Sequence, residues 1–478
     1  MKRKLITAAV TAALGAAAAP AFALLPGASI GNDTYVSGAS AQEGQMLAFM
    51  RWSCQAGTLD VFRQSNQFIY ACTRNASRIG TSAANIVVYK SSVGGSGNGI
   101  LPVAQAATLA FMDFASLNTS TQCAAPTTVA ATTDLIAYND YVCTQPTVNH
   151  LTEIGLSDVE PAQFIGILPG LTTALAGRLD VHSSNQLLFG IPVTKSLRDA
   201  LQGAQGLTVG AEDEANMPSL SKVQLTGIYS GSIITWDQLG LNNANDPYNA
   251  IWVARRVSSS GTQTGARIYF LNDPCAKNMA QFVFDTDPAV ASNPAACSSA
   301  DPISAGYSLV SQGSGSGDVV NCLNAHNANG RWAVGVLSTE FVPGSGNWRF
   351  VKIDGSAPTL YNAAQGRYQY VTEATNQWRN GGAPSPLAGD DLAFGNSMKA
   401  GFNSAPIIKS LNQNYVQLFG QGGALGVPGG SNVPSDPVTT ANILTNPVNV
   451  FTHSGGGSTN NCQPLQPSGA GSKTGASG

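Results

Sequence analysis

Four short segments of this 478-residue chain combine small residues with groups that can bind an oxyanion. The most informative segment, Arg255 to Thr262, reads R-R-V-S-S-S-G-T; it follows a predicted strand and opens a predicted helix. Backbone N–H groups at Ser260, Gly261 and Thr262 would point outward at that helix N-terminus, where the helix dipole favours an anion. Arg256 would add a guanidinium with two parallel donors. An isolated serine-glycine-threonine sequence is usually a turn, so the interpretation depends on the other segments.

Those other segments are S-G-A-S-A at 37–41, G-G-S-G-N-G at 94–99 and G-L-S-D at 155–158. Their small residues let the backbone approach a ligand, Ser40 offers a hydroxyl, and Asp158 offers the one carboxylate of the set. Each also has an ordinary explanation, since Ser40 suits a helix N-cap, the glycine run a flexible loop, and Asp158 a turn or cap. Only the combination points to an anion.

Alternating strands and helices are predicted to position these segments. Apolar, β-branched runs predict strands at Ile86 to Tyr89, Leu187 to Val193, Ile251 to Arg256, Trp332 to Leu337 and Trp348 to Ile353. Helical periodicity predicts helices at Gln42 to Trp52, Leu220 to Tyr229, Thr262 to Leu271 and Pro406 to Phe419. This alternation favours the α/β class with mostly parallel sheets, and the length exceeds what one hydrophobic core usually serves.

The four segments and their surroundings resemble the phosphate-binding proteins of ABC importers. They also resemble the related secreted phosphate-binding proteins whose mature chains begin Asp-Ile-Asn-Gly. The segment L-T-G-I-Y-S-G-S-I-I-T-W at 225–236 is similar to a family motif that lies about twenty residues before the arginine, and Gly335 to Leu337 and Val351 to Tyr368 are similar to the family's closing strands. The resemblance covers most of residues 33 to 420.

This resemblance implies a two-lobed type II periplasmic-binding fold with a hinge and a ligand cleft between the lobes. It implies inorganic phosphate, or a similar tetrahedral oxyanion, as the ligand. Where the family has an acid that restrains the arginine, this chain has Ser258. The implied phosphate-binding residues are the hydroxyl donor Ser40, the backbone donor Ala41, the loop serine Ser96, the buried acceptor Asp158, the charge partner Arg256, and the helix-terminal group Ser260, Gly261 and Thr262.

The predicted domain plan follows the same resemblance. Residues 1–23 are predicted to be a signal peptide, because a basic start and an apolar stretch precede a small-x-small cleavage site. Lobe 1 is predicted to comprise 24–187 and 340–451, with an insertion at about 118–149, and lobe 2 to comprise 188–339. Residues 452–478 are predicted to be a flexible Gly/Ser-rich tail.

Composition limits the partners that the chain is expected to have. The net charge is −3 and charged residues make up only 11% of the sequence, which argues against nucleic-acid binding. We expect no membrane insertion, no lipid anchor, no metal and no cofactor, and a periplasmic or secreted location. The expected partners are phosphate and an ABC permease that would take it up.

Eight cysteines in an exported protein favour disulfides. We predict that neighbours pair, as Cys54 with Cys72, Cys123 with Cys143 and Cys275 with Cys297, which leaves Cys322 for Cys462.

Two other functions remain open from the sequence. One is a secreted phosphatase of the same family, although no nucleophile elbow, paired metal ligands or nearby histidine accompanies the four segments, so an enzyme is not the expected outcome. The other is an extracellular surface or matrix protein that keeps the binding fold.

Overall fold

The computed structural model describes residues 24, 26–27, 31–276, 297–305, 309–453 and 459–468. The predicted signal peptide at 1–23 lies outside the described residues. Strands and helices alternate through the chain, which confirms the predicted α/β class. Among the described residues, no helix is long and apolar enough to cross a membrane.

Twenty-two strands occur in the described chain. The first eleven are β1 Asn32–Gly38, β2 Asp60–Gln64, β3 Gln67–Thr73, β4 Asn85–Ser91, β5 Thr108–Met112, β6 Thr127–Val129, β7 Tyr138–Val142, β8 Thr147–Leu151, β9 Ile154–Ser157, β10 Leu179–Thr194 and β11 Ser219–Leu220. The others are β12 Trp252–Arg256, β13 Val310–Gly313, β14 Ala333–Gly335, β15 Leu337–Ser338, β16 Trp348–Ile353, β17 Val371–Arg379, β18 Val416–Gln417, β19 Gly420–Gln421, β20 Ala424–Leu425, β21 Phe451–Thr452 and β22 Gln466–Pro467.

The α-helices vary from one turn to almost four. They are α1 Glu43–Ser53, α2 Leu101–Gln105, α3 Thr119–Gln122, α4 Thr173–Ala176, α5 Lys195–Ala204, α6 Lys222–Tyr229, α7 Gly261–Ala266, α8 Ser316–Ala328, α9 Leu360–Ala364, α10 Gly389–Phe402, α11 Ala405–Asn412 and α12 Thr440–Thr445. A π-helical turn, Arg267–Leu271, continues α7. The helix predicted to extend to Phe419 ends at Asn412, because the chain then turns into the small hairpin of β18 and β19.

The first half of the fold is a sheet with the order β17-β9-β1-β4-β3-β2-β7-β6. Strand β1 is parallel to both β4 and β9, whereas β3 is antiparallel to β2 and β4. The sheet is therefore mixed rather than mostly parallel. The tight turn that joins β2 directly to β3 reverses the chain, which makes these two strands antiparallel. Met46 and Phe49 of α1, Phe394 of α10 and Ile407 of α11 share one buried apolar cluster with Val88 of β4.

The second half is built around parallel strands β13, β12 and β14, with β10, β16 and β11 beyond them. Its largest apolar cluster includes Leu197, Leu225, Trp236, Val253 and Val334, all buried. Strand β12 lies between β13 and β14, so its carboxyl end is central in this half.

The long strand β10 links the two halves. Its first part pairs with β17 of the first sheet, from Leu179 opposite Arg379 to Leu188 opposite Val371. Its last part pairs with β16 of the second half, from Ile191 opposite Val351 onward. The pairing of β10 with β16 places residues 348–353 in the second half. The predicted lobe limits at 187 and 340 stay predictions.

The segment at 118–149, which is predicted to be an insertion, extends the first sheet. Strand β7 lies parallel to β2, and β6 pairs with β7 at the edge. The disulfide Cys123–Cys143 joins the two sides of the segment. The predicted disulfide between Cys123 and Cys143 is thus confirmed.

Two of the four predicted disulfides are wrong. Cys54–Cys72 and Cys123–Cys143 form as predicted, but Cys275 pairs with Cys462 and Cys297 pairs with Cys322. The prediction paired cysteines that are neighbours in the sequence. In the structure, Cys322 on α8 is instead buried in the same apolar cluster as Cys297, which makes these two cysteines partners.

Residues 459–468, which belong to the predicted tail, lie against the rest of the protein. Asn461 is only 3% exposed, and its side chain donates to Glu160 and to the carbonyl of Glu373. The neighbouring Cys462 is the partner of Cys275. These contacts hold Asn461 and Cys462 in place, and the prediction of a flexible tail over 452–478 stays a prediction.

Candidate functional site

The four sequence segments meet at one place. Because β1, β4 and β9 are neighbouring parallel strands, their carboxyl ends lie at one edge of the sheet, where ligands of α/β proteins usually bind. The segment after β12 reaches this edge from the second half. The N–H of Gly97 donates to the carbonyl of Ser259 at 2.8 Å, which connects the loop after β4 to the segment after β12. We call the group formed by Ser96, Asp158, Arg256, Ser260, Gly261 and Thr262 the cradle.

Asp158 lies at the centre of the cradle and is only 2% exposed. Its backbone N–H donates to Ser96 Oγ at 3.1 Å, and its Oδ2 accepts from Thr262 Oγ1 at 3.1 Å. Its Oδ1 is buried without a hydrogen-bond partner. Burial raises the pKa of Asp158 to about 6, although the charge of Arg256 and the hydrogen bonds from Thr262 act in the opposite direction.

Arg256 ends β12 and is also only 2% exposed. Its Nη1 donates to Ser316 Oγ at 2.8 Å and its Nη2 donates to the carbonyl of Ser314 at 2.8 Å, whereas Nε is buried without a partner. Burial lowers the pKa of Arg256, and the carboxylate of Asp158 opposes this effect. A positive charge and a negative charge are therefore both buried here, each with a hydrogen-bonding atom still unused.

Gly261 allows the two halves to approach each other closely. A Cβ at this position would lie 2.4 Å from Ser96 Oγ and 2.6 Å from Asp158 Cβ, which no side chain could tolerate without displacement. Ser260 and Thr262 on either side are each 1% exposed. The absence of a side chain at Gly261 thus brings the start of α7 against the residues of the first half.

Ser40 and Ala41 lie at the rim of the cradle. They begin a 3₁₀ turn, Ser40–Gln42, that follows β1. Ala41 is buried, and Ser40 is partly buried and lines a cavity to which Ser316 also contributes. The structure therefore brings all eight predicted residues to one region.

Lys90 is a charged residue of the site that the sequence analysis missed. It is fully buried at 0% exposure, and its Nζ donates to the carbonyl of Gly38 at 2.9 Å and to Ser92 Oγ at 2.7 Å. Burial lowers its pKa to about 8, while the carboxylates of Glu43 and Asp158 act to raise it. A lysine directly after the apolar run I-V-V-Y of β4 was a signal that could have revealed it.

The loop from Gly313 to Asp318 was also missed, although it repeats the pattern of a strand, a Gly/Ser loop and a helix. Asp318 Oδ2 accepts from Ser314 Oγ at 3.0 Å and from the N–H of Gly315 at 2.9 Å. The same loop binds the guanidinium of Arg256. This loop, rather than an acid at position 258, fixes the arginine.

Comparisons with known proteins find structural similarity only. No protein-family model matches the sequence, and no curated protein matches it. A solved structure described as a phosphate ABC transporter substrate-binding protein with bound phosphate, from Clostridium perfringens, is 15% identical with a TM-score of 0.41; the match covers 80% of this chain and 98% of that one. A phosphate binding protein from Stenotrophomonas maltophilia is 14% identical with a TM-score of 0.35, covering 73% and 78%. A human phosphate binding apolipoprotein is 16% identical with a TM-score of 0.30, covering 54% and 80%.

Proposed function

We propose that this chain is an exported binding protein that holds inorganic phosphate, or a similar tetrahedral oxyanion, in the cradle between its two halves. The observation that carries the proposal is the pair of unused buried atoms, Asp158 Oδ1 and Arg256 Nε. A buried polar atom without a partner is costly in a folded protein, and a ligand that pairs with it removes that cost.

Phosphate suits both charges at once. Its oxygens accept hydrogen bonds from a guanidinium, from hydroxyls and from backbone N–H groups. Near neutral pH inorganic phosphate is a mixture of its singly and doubly protonated ions, so it always keeps at least one proton. That proton can be donated to the carboxylate of Asp158, which would otherwise repel an anion.

The positions of the binding groups support capture by closure of the two halves. Ser96 and Asp158 belong to the first half, and Arg256 and Thr262 belong to the second. A ligand that contacts both sets would stabilise the closed arrangement relative to an open one. We further propose that a membrane permease receives the phosphate from the closed protein after export.

The direct test is equilibrium dialysis of the chain from residue 24 onward with radiolabelled phosphate. We expect one site per chain with a Kd on the order of micromolar or tighter. In the variant Arg256→Ala the affinity should fall by about 2 to 5 kcal/mol, because a charge-assisted contact is lost in a closed cleft.

The matched control is Arg63→Ala, which removes a half-exposed arginine that pairs with Asp140. This variant should bind phosphate like the wild type. Binding that survives Arg256→Ala unchanged would remove Arg256 from the site, and absence of binding by the wild type at millimolar phosphate would contradict the proposal.

A further inference from the structure

Lys90, near the end of β4, connects two loops of the anion site. Its Nζ donates to the carbonyl of Gly38 at 2.9 Å, to the carbonyl of Ser91 at 3.3 Å and to Ser92 Oγ at 2.7 Å. An ammonium group has three donors, so all of them are used. Gly38 ends β1 and lies two residues before Ser40. The ammonium therefore fixes the loop after β1 relative to the loop after β4.

Two carboxylates balance the buried charge of Lys90. An ammonium that is fully removed from water is costly unless negative groups lie close to it. Glu43 of α1 and Asp158 after β9 both act to raise the pKa of Lys90, and the charge of Lys90 acts to lower the pKa of each of them. Ser92 connects the first pair, because its hydroxyl hydrogen-bonds to the side chain of Glu43 as well as to Lys90.

Lys90 is thus a second cation beside Asp158, in addition to Arg256. Arg256 comes from the second half of the molecule, whereas Lys90 belongs to the first half, on the same sheet as Asp158. An anion that enters the cradle adds its negative charge to that of Asp158. A buried positive charge on the same side reduces the resulting repulsion, and the effect is strong because little water screens it.

We infer that Lys90 is a positioning residue of the anion site and that phosphate affinity depends on the proton that its ammonium group carries. The ammonium holds the carbonyl of Gly38 and offsets the negative charge of Asp158 and the anion together. A neutral amine would offset no charge and would have one donor fewer. This inference rests on the proposed function, because it requires phosphate to bind beside Asp158.

The proton of Lys90 is lost at mildly alkaline pH. Burial lowers the pKa of Lys90 to about 8, and the pKa of Asp158 is about 6. Between about pH 7.5 and 9.5, Asp158 is therefore ionised throughout, and inorganic phosphate is mainly its singly protonated ion. A bound anion favours the charged lysine and raises its pKa, so phosphate affinity should fall as the pH rises through about 8.

Further titratable groups surround Lys90 and its partner carboxylates: Glu43, Glu340, Tyr70, Tyr415 and Arg256. Burial raises the pKa of these carboxyl and phenol groups and lowers the pKa of the guanidinium. Ionisation of either glutamate in the same pH interval would also weaken anion binding. Variants of Lys90 and of both glutamates are therefore needed to assign the pH dependence.

Equilibrium dialysis of the chain from residue 24 onward with radiolabelled phosphate at pH 7.5, 8.5 and 9.5 tests the inference. We expect the wild-type affinity to fall by about tenfold between pH 7.5 and 9.5. Lys90→Arg should show no such fall, because a guanidinium keeps its proton throughout this interval. The wild-type profile is measured even if the larger side chain of this variant prevents folding.

The glutamate variants separate Lys90 from its neighbours. Glu43→Gln removes a carboxylate that helps Lys90 to keep its proton, so the fall should move to lower pH. Glu340→Gln should leave the fall in place. If the fall disappears in either glutamate variant, or persists in Lys90→Arg, another group is responsible and the inference is wrong.

A charge-removing variant tests the same role at one pH. Lys90→Met should weaken phosphate binding by about tenfold at pH 7.5, because it removes both the charge and the contact with Gly38. Lys195→Met is the matched control, since Lys195 pairs with Asp199 on α5 and should be replaceable without effect on binding. Equal affinity of Lys90→Met and the wild type would contradict the inference.

The outcomes separate the two claims. If the wild-type protein binds phosphate with the same affinity from pH 7.5 to 9.5, the role of Lys90 is wrong and the phosphate function stands. If the wild-type protein binds no phosphate at any of these pH values, both are wrong.

Discussion

Asp158 places a carboxylate where an anion is expected to bind. The proton that phosphate keeps explains how the two groups can attract each other. Phosphate can donate a hydrogen bond to Asp158 Oδ1, which is buried and has no partner in the protein. Sulfate has no proton at neutral pH, so against sulfate the carboxylate contributes only repulsion and an unpaired acceptor. A site built for a ligand's donor can reject an analogue that lacks it by as much as about 10⁴-fold.

The variant Asp158→Asn should therefore narrow the difference between phosphate and sulfate by at least about tenfold, because an amide can donate as well as accept. Competition of each anion against radiolabelled phosphate measures this ratio. An unchanged ratio in Asp158→Asn would mean that Asp158 does not contact the ligand.

At this scale the sequence was informative where a motif combined several groups and uninformative where one residue acted alone. The arginine, serine, glycine and threonine of 256–262 have a recognisable order along the chain, and the structure places them together. Lys90 and Glu43 lack such an order, since a single charge in a strand or helix has many ordinary explanations. Lys90 acts on both Glu43 and Asp158 only because three strands and the start of a helix come together.

At the scale of elements, the loop before α8 determines how Arg256 is held. Asp318 bonds to Ser314 and to the N–H of Gly315, and Ser314 and Ser316 bond to the guanidinium. Asp318 is a positioning residue, because it acts on the ligand only through this loop.

Asp318→Ala should weaken phosphate binding by about tenfold, which corresponds to the loss of about 1.4 kcal/mol of loop-ordering hydrogen bonds. Asp390→Ala is the matched control, since Asp390 likewise accepts from the N–H and Oγ of Ser82 but lies in the first turn of α10. Dialysis of both variants should show reduced affinity only for Asp318→Ala. Equal effects would indicate general destabilisation instead of positioning.

The order of strands and helices was largely predictable, whereas the strand partners were not. Apolar runs located β4, β10, β12 and β16 because strand formation depends on local patterning. The antiparallel pairing of β10 with β17 joins residues almost two hundred positions apart, and no local pattern encodes such a contact. For the same reason the pairing of Cys275 with Cys462 was missed.

On the scale of the whole molecule, the end of the chain ties the two halves together. Asn461 bonds to Glu160 near the cradle and to Glu373 of β17, and the adjacent Cys462 is linked to Cys275 just beyond the π-helical turn. This disulfide closes a long loop, with a sequence separation of 187 residues.

Cys275→Ser/Cys462→Ser should lower the free energy of unfolding by about 3 to 5 kcal/mol, because cross-linking a long loop restricts the unfolded chain. Cys123→Ser/Cys143→Ser should lower it less, since that bond spans only 20 residues at the edge of a sheet. Denaturant unfolding of the two double variants gives the comparison. A smaller loss for the Cys275 and Cys462 variant would show that the tail contributes little to stability.

The central claim is that the two halves close on a protonated tetrahedral anion. The most direct measurement is calorimetric titration of the chain from residue 24 onward with phosphate, arsenate and sulfate in the same buffer. Phosphate and arsenate both keep a proton near neutral pH, so both should bind at one site per chain, and sulfate should produce no binding heat at the same concentrations. Sulfate binding as tight as phosphate binding would contradict the account, because Asp158 could then not be a ligand of the anion.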